Sequence, residues 1–271
     1  MRILILLAGL AACSQAQWLN YPDPRTPRGK DGKPNLTAPA PRLNGKPDLS
    51  GLWEADATPR SELNRVLPPG FFDLQIDLPN VSKYVINLFW DFKPEDDPSR
   101  PDTLELMKQA ASAGLALPGS HCLPNSIPLT PLILPFKLVQ TQQQIVMLFE
   151  HYDPPRQIHT DGRGLPKDLE TSWMGYSVGK WQGDTLIVES AGFNGKTPLD
   201  TLGHPRSESA RMIERYRRLD FGHMDVDLTI NDPKYYTRPF TVKLPFHLIP
   251  DSDVLEAVCA ENEKDRIHVV N

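Results

Sequence analysis

The chain has little cysteine: three residues in 271, one of which, Cys13, sits at the end of an apolar leader. No C-x-x-C pair is present, which excludes the usual structural zinc knuckle. No block of lysine and arginine occurs and the formal net charge is -5, so nucleic acid is not an expected partner. No apolar run approaches the roughly 20 residues that a membrane-spanning helix needs. A glycine-rich dinucleotide loop, a Walker loop and a repeat of about 20 to 50 residues are also missing. No cofactor is expected.

What is present begins with Met1-Arg2 and the run Ile3 to Leu10, a one-charge start and a short apolar stretch that together read as an export signal over residues 1–16. Leu10-Ala11-Ala12-Cys13 has the form at which bacterial lipoproteins are cut and lipidated, so a lipid anchor at Cys13 and simple secretion both stand. Either way the expected location is periplasmic or extracellular. Loss of the leader leaves Cys122 and Cys259 in an oxidising compartment, and the expectation is one disulfide between them.

Residues 17–48 are dense in proline and predict an extended arm or tether. A β-rich domain over 49–271 follows, with a helical segment at about 75–115; Arg100-Pro101-Asp102 starts a helix there that Gly114 can end. From Leu138 onward the pattern is of strands. Leu138 to Glu150 carries Ile145 to Phe149, which predicts a strand buried on both faces, and Arg156 to Asp161 predicts a second, shorter one. A hairpin turns at Gln182-Gly183-Asp184. Arg211 to Leu219, Met224 to Ile230, Phe240 to Leu244 and Val254 to Cys259 follow, with Pro245 marking an edge or bulged strand. Seven or eight antiparallel strands with short connections predict a mainly β, antiparallel, barrel-like (calycin-like) or sandwich fold.

Gly175-Tyr176-Ser177-Val178-Gly179 is a literal G-x-S-x-G, the pattern of a hydrolase nucleophile elbow. That elbow requires a helix after the serine. The β-branched run Thr185 to Glu189 beyond the turn predicts a hairpin instead, so Ser177 is not expected to be a nucleophile. His159-Thr160-Asp161 and His223-Met224-Asp225 are both H-x-D. With His204 or His223 as a third ligand, His159 and Asp161 could form a facial metal triad, the alternative to no metal at all.

Glu150-His151 ends one strand, Arg156 and His159 lie on the next, and Glu214, Arg215, Arg217 and Arg218 crowd one arm. A charged set pointing into a barrel must be paired. His159, Asp161 and Glu214 are therefore the candidate acid–base residues, and Arg163 a candidate anion clamp following a glycine turn, or a structural partner of Asp184 or Glu189. Trp173, Tyr176 and Trp181 could be core or a stacking floor for a ligand, with Arg215 beside them.

Taken together, Gly45-Lys46-Pro47-Asp48-Leu49-Ser50-Gly51-Leu52-Trp53, Asp161-Gly162-Arg163-Gly164-Leu165-Pro166 and the stretch Trp173 to Leu186 resemble a family of exported bacterial proteins. Glu214-Arg215, Asn231-Asp232-Pro233 and Cys259-Ala260-Glu261-Asn262 also fit it, and the match covers most of the mature chain. Ser126 departs from the family pattern, in which a glycine is expected nearby. The resemblance implies export and a β-rich fold and carries no reaction with it. The expected function is binding of a small, partly apolar ligand inside the barrel. Its rivals are a hydrolase or lyase working by histidine and carboxylate chemistry, a metal-dependent enzyme using the H-x-D pairs, and an envelope interaction protein using the arm.

Overall fold

The computed structural model describes residues 21–64, 81–112 and 117–259. The export signal and Gly114 lie outside them. Two short strands, β1 (Arg42–Leu43) and β2 (Lys46–Pro47), form a small ladder in the arm. Nine more make the body: β3 (Gly51–Ala55), β4 (Phe136–Gln140), β5 (Gln144–Phe149), β6 (Arg156–His159), β7 (Tyr176–Gln182), β8 (Thr185–Ala191), β9 (Arg211–Arg218), β10 (His223–Asn231) and β11 (Phe240–Leu248). They close into a barrel in the order β10-β11-β3-β4-β5-β6-β7-β8-β9.

The barrel alternative of the sequence reading is therefore the fold, and the sandwich is not. One departure is that β6 and β7 run parallel. Residues 160–175 supply the crossover that a parallel pair needs.

Alternation dictates which side chains fill the barrel. Along β10, Met224, Val226, Leu228 and Ile230 are buried while Asp225, Asp227 and Thr229 face outward. Trp53 fills the centre with no exposed surface, its Nε1 donating to the Leu49 carbonyl at 2.9 Å. Close by, Phe136 and Phe246 meet edge to face at 5.4 Å. Trp181, by contrast, only packs partly buried against this core.

Several element expectations are corrected. The strand predicted at Ile145 to Phe149 forms as β5, but Ile145 and Met147 alone are fully buried, so it alternates rather than being buried on both faces; ahead of it the chain turns after Gln140, with the Thr141 N–H donating to the Gln144 carbonyl at 2.8 Å. Thr141 to Gln143 contain neither glycine nor proline, so the turn carries no composition signal. β11 continues through Pro245 to Leu248. The Pro245 carbonyl accepts the Asp56 N–H beyond the last β3 pairing, so its missing donor falls where that ladder ends. Val254 to Cys259 form no strand and run as an irregular tail.

The helix begins at Pro101 as predicted, spanning Pro101–Ser112. It docks on the loop after β10, where the Thr103 hydroxyl donates to the Tyr235 carbonyl at 2.8 Å.

The arm is not a free tether. Arg42 pairs with Asp184 at 2.8 Å, Arg28 pairs with Asp251 at 2.6 Å, and the Gly222 N–H donates to the Leu36 carbonyl at 2.7 Å. A Cβ on Gly222 would lie 2.4 Å from that of Leu36, which fixes how closely the arm sits. Cys122 and Cys259 are bonded to each other, with Cα atoms 5.6 Å apart.

Candidate functional site

The first polar constellation lies inside the barrel. On β9 the inward side chains are Met212, Glu214, Tyr216 and Arg218, and on β6 they are Arg156 and Ile158. Arg156 Nη1 donates to Glu214 Oε1 at 3.0 Å and Nη2 to Glu214 Oε2, a two-pronged ion pair sealed from solvent. Its Nε donates to Ser177 Oγ at 3.1 Å and its Nη2 to Ser190 Oγ at 2.9 Å, while Tyr216 donates to Glu214 at 2.7 Å. Burial works against the Arg156 charge, and the Glu214 and Tyr216 oxygens more than offset it, so its pKa is raised. Burial first, and then the Glu214 charge, raises the Tyr216 phenol.

This network has its donors and acceptors matched within itself, so it locks the barrel rather than offering a free acid or base. Ser177 belongs to it. Its Oγ lies 2.9 Å from Ser190 Oγ in a strand hairpin, without the helix or the histidine that a nucleophile elbow requires.

His159, Asp161 and Arg163 do not join Glu214. Arg156 and Ile158 point inward, so Gln157 and His159 point outward. The His159 ring lies 5.1 Å from that of Tyr176 on the outer face. Burial, followed by the Arg163 charge, lowers its pKa and favours the neutral imidazole. Arg163 is held neither by Asp184 nor by Glu189: it grips Asp161 at 2.5 Å across Gly162 and reaches the Tyr176 hydroxyl at 3.2 Å. Asp184 is taken by Arg42, and Glu189 pairs with Arg211 at 3.3 Å. Arg215 is exposed on the outer face, and Trp173 sits half-buried below Lys196 at 5.8 Å.

The alternative metal set is likewise dispersed. His204 is buried and bonded to Asp200 at 2.6 Å, and His223 pairs with Asp220 at 2.8 Å. Among the described residues no three histidine, cysteine or acidic side chains form a metal-binding group.

Two buried arginines lack a carboxylate within 4.0 Å among the described residues: Arg206, which sequence reasoning missed, and Arg218, which it placed only on the charged arm. Arg206 lies over the Phe193 ring at 4.3 Å and bonds Ser126 Oγ at 3.3 Å and the Ile127 carbonyl. Burial pushes it down to about 9, with the Asp232 charge opposing. It braces the loop in which Ser126 adopts φ 65°, the left-handed conformation that glycine takes most readily. Asp153 braces the same loop, accepting the Asn125 N–H at 2.7 Å and the Thr130 hydroxyl at 2.9 Å.

Arg218 is the second. It donates to main-chain carbonyls, those of Asp220 at 3.1 Å, Ser50 at 3.3 Å, Asp48 and Phe221, with Trp53 and Phe221 rings at 4.9 and 5.2 Å. Burial pushes its pKa down to about 10, against the pull of Asp48 and Asp220.

Arg218 lines the candidate site. A cavity of about 680 Å³ opens at the barrel rim between the arm, the start of β3 and the chain after β11. Its walls combine Leu52, Phe221, Leu248 and Ile249 with Lys137 and Arg218. A second cavity of about 510 Å³ lies alongside and contains Glu54, Glu150 and His247. Burial raises the Glu150 carboxyl; the Leu255 N–H opposes this and the Glu54 charge adds to it. Volumes of this size suit small organic molecules, and a mostly apolar wall with a few fixed polar groups is how such sites select them. The groove was not legible because the tail that walls it has no periodic pattern, although Arg218 lay within the charged arm that the sequence singled out. Comparison with protein families, with curated proteins and with solved structures finds no match for the chain.

Proposed function

We propose that this is an exported, periplasmic or extracellular protein that binds a small, partly apolar ligand at the rim of its barrel. A lipid anchor at Cys13 would hold it at a membrane surface. The carrying observation is the 680 Å³ cavity, in which Leu52, Phe221, Leu248 and Ile249 sit among charged groups: Lys137, which pairs with Asp253, Arg218, a cation held on carbonyls, and the carboxylates of Asp23, Asp48 and Asp251. The barrel interior is a poorer host, because Trp53, Phe136 and the Arg156–Glu214 network occupy it. Binding is favoured over acid–base catalysis since His159 and Glu214 face opposite sides of the wall.

The test uses 8-anilinonaphthalene-1-sulfonate, a compact, partly apolar anion. Titration into the native protein should give saturable, blue-shifted fluorescence at one site. Leu52→Trp, which fills the groove from its wall, should weaken binding at least about tenfold, or 1.4 kcal/mol, with far-UV circular dichroism and the urea transition unchanged. Unsaturable fluorescence, or an unchanged affinity in a folded Leu52→Trp protein, overturns the reading.

A further inference from the structure

The two cavities share Leu52, Leu248, Ile249, Pro250, Ser252 and Asp253 as lining residues. They are two chambers of one groove, and the segment after β11 divides them. We infer that residues 252–258 are a strap that bows outward between two fixed ends and so admits an elongated, partly apolar ligand along the whole groove. The ligand half of this inference rests on the binding reading above; the motion of the strap does not.

The fixed ends are visible. At one end Asp251 accepts the Asp23 N–H at 3.0 Å and pairs with Arg28 at 2.6 Å. Its φ of 57° is unusual for a residue with a side chain and marks a pivot that the arm contacts hold in place. At the other end Cys259 is bonded to Cys122.

Between these ends the hold is light. Asp253 pairs with Lys137 at 2.7 Å in a solvent-exposed contact, and the Leu255 N–H meets the Glu150 carboxylate. Surface pairs of this kind contribute little, and segments with few buried contacts are the ones that open locally. Glu256, Ala257 and Val258 are exposed, whereas Leu52 beneath the segment is buried. Before the pivot the chain is firmly fixed: the Ile249 N–H donates to the Leu52 carbonyl and the Leu248 N–H to the Gly222 carbonyl, both at 2.8 Å. Lifting the strap would therefore join the chambers without disturbing the barrel.

Amide exchange of the oxidised protein reads the motion without any ligand. Asp253→Asn removes the strap's ion pair and leaves its covalent end intact. Leu255 exchange should accelerate about two- to fivefold while Ile249 holds its protection; acceleration of both in step, or of neither, overturns the strap. Cys122→Ser/Cys259→Ser frees the far end and should raise Leu255 exchange further, with Ile249 again as the internal control. For gating, stopped-flow association of 11-(dansylamino)undecanoate should quicken about fivefold or more in Cys122→Ser/Cys259→Ser, which frees the strap's far end and leaves the groove lining intact, while that of 8-anilinonaphthalene-1-sulfonate stays within about twofold. An unchanged rate for the long probe on a strap shown to lift overturns the gate. If neither probe binds either protein, the binding reading fails and the gate falls with it, while the exchange result still decides the strap.

Discussion

At the residue scale the decisive side chain is Glu214, which the sequence marked for chemistry and the barrel uses for pairing. The inference that a charge on an inward strand face must be compensated was sound, and its partner is Arg156. Arg156 was among the charged residues that the sequence singled out, but the pairing itself was not legible, because Arg156 comes from a strand far from Glu214 in the chain, and barrel closure brings them together. The pair's strength lies in not being broken singly. Glu214→Ala leaves an uncompensated guanidinium buried in the barrel and should destabilise the fold by about 3–5 kcal/mol. Arg156→Met combined with Glu214→Leu removes both charges and should cost less than Glu214→Ala alone. Urea denaturation of the two variants checks the order; a double variant less stable than the single would mean that the pair adds net stability beyond mutual compensation.

At the scale of elements, the sequence showed most where alternation is strict. Met224 to Ile230 announced β10 by its alternation, whereas Arg211 to Leu219, whose Met212, Tyr216 and Leu219 also suit a helix, is legible as β9 only through the short turn that joins it to β10; in the barrel the two pair across the outer face, as Arg217 does with Asp227 at 2.8 Å. It showed least where pairing is between distant partners. β3 inserts between β11 and β4, and nothing local to Gly51–Ala55 specifies either neighbour.

That insertion creates a titrating contact. His247 on β11 stands opposite Glu54 on β3, with Nε2 at 3.4 Å from the Glu54 carboxylate and Nδ1 at 2.9 Å from Asp56. The bond to Asp56, then that to Glu54, pushes the imidazole up to about 9. Since the folded value lies above the unfolded one of roughly 6.5, the stabilisation is complete below about pH 6.5 and is lost as pH rises through about 9. The ring is partly solvated, so screening reduces the effect to about 1 kcal/mol. Urea midpoints across pH 6 to 9.5 should fall by that amount in the native protein and stay flatter in His247→Gln. Equal slopes in both would exclude His247 as the source.

At the scale of the whole molecule, the disulfide was legible from export and a cysteine count, but its mechanical role was not, since the tail it anchors was read as a strand. The bond closes a separation of 137 residues, for which constraint of the unfolded chain alone gives about 5 kcal/mol. That figure assumes a native state equally rigid with and without the bond. Here the bond holds the end of a lightly attached segment, so cutting it also returns freedom to the native tail, and the two gains in entropy partly cancel. Cys122→Ser/Cys259→Ser should therefore lose about 2–4 kcal/mol in urea denaturation, with an unchanged barrel by circular dichroism. A loss of 5 kcal/mol or more would mean that the tail stays fixed without its anchor, and would count against a strap able to lift.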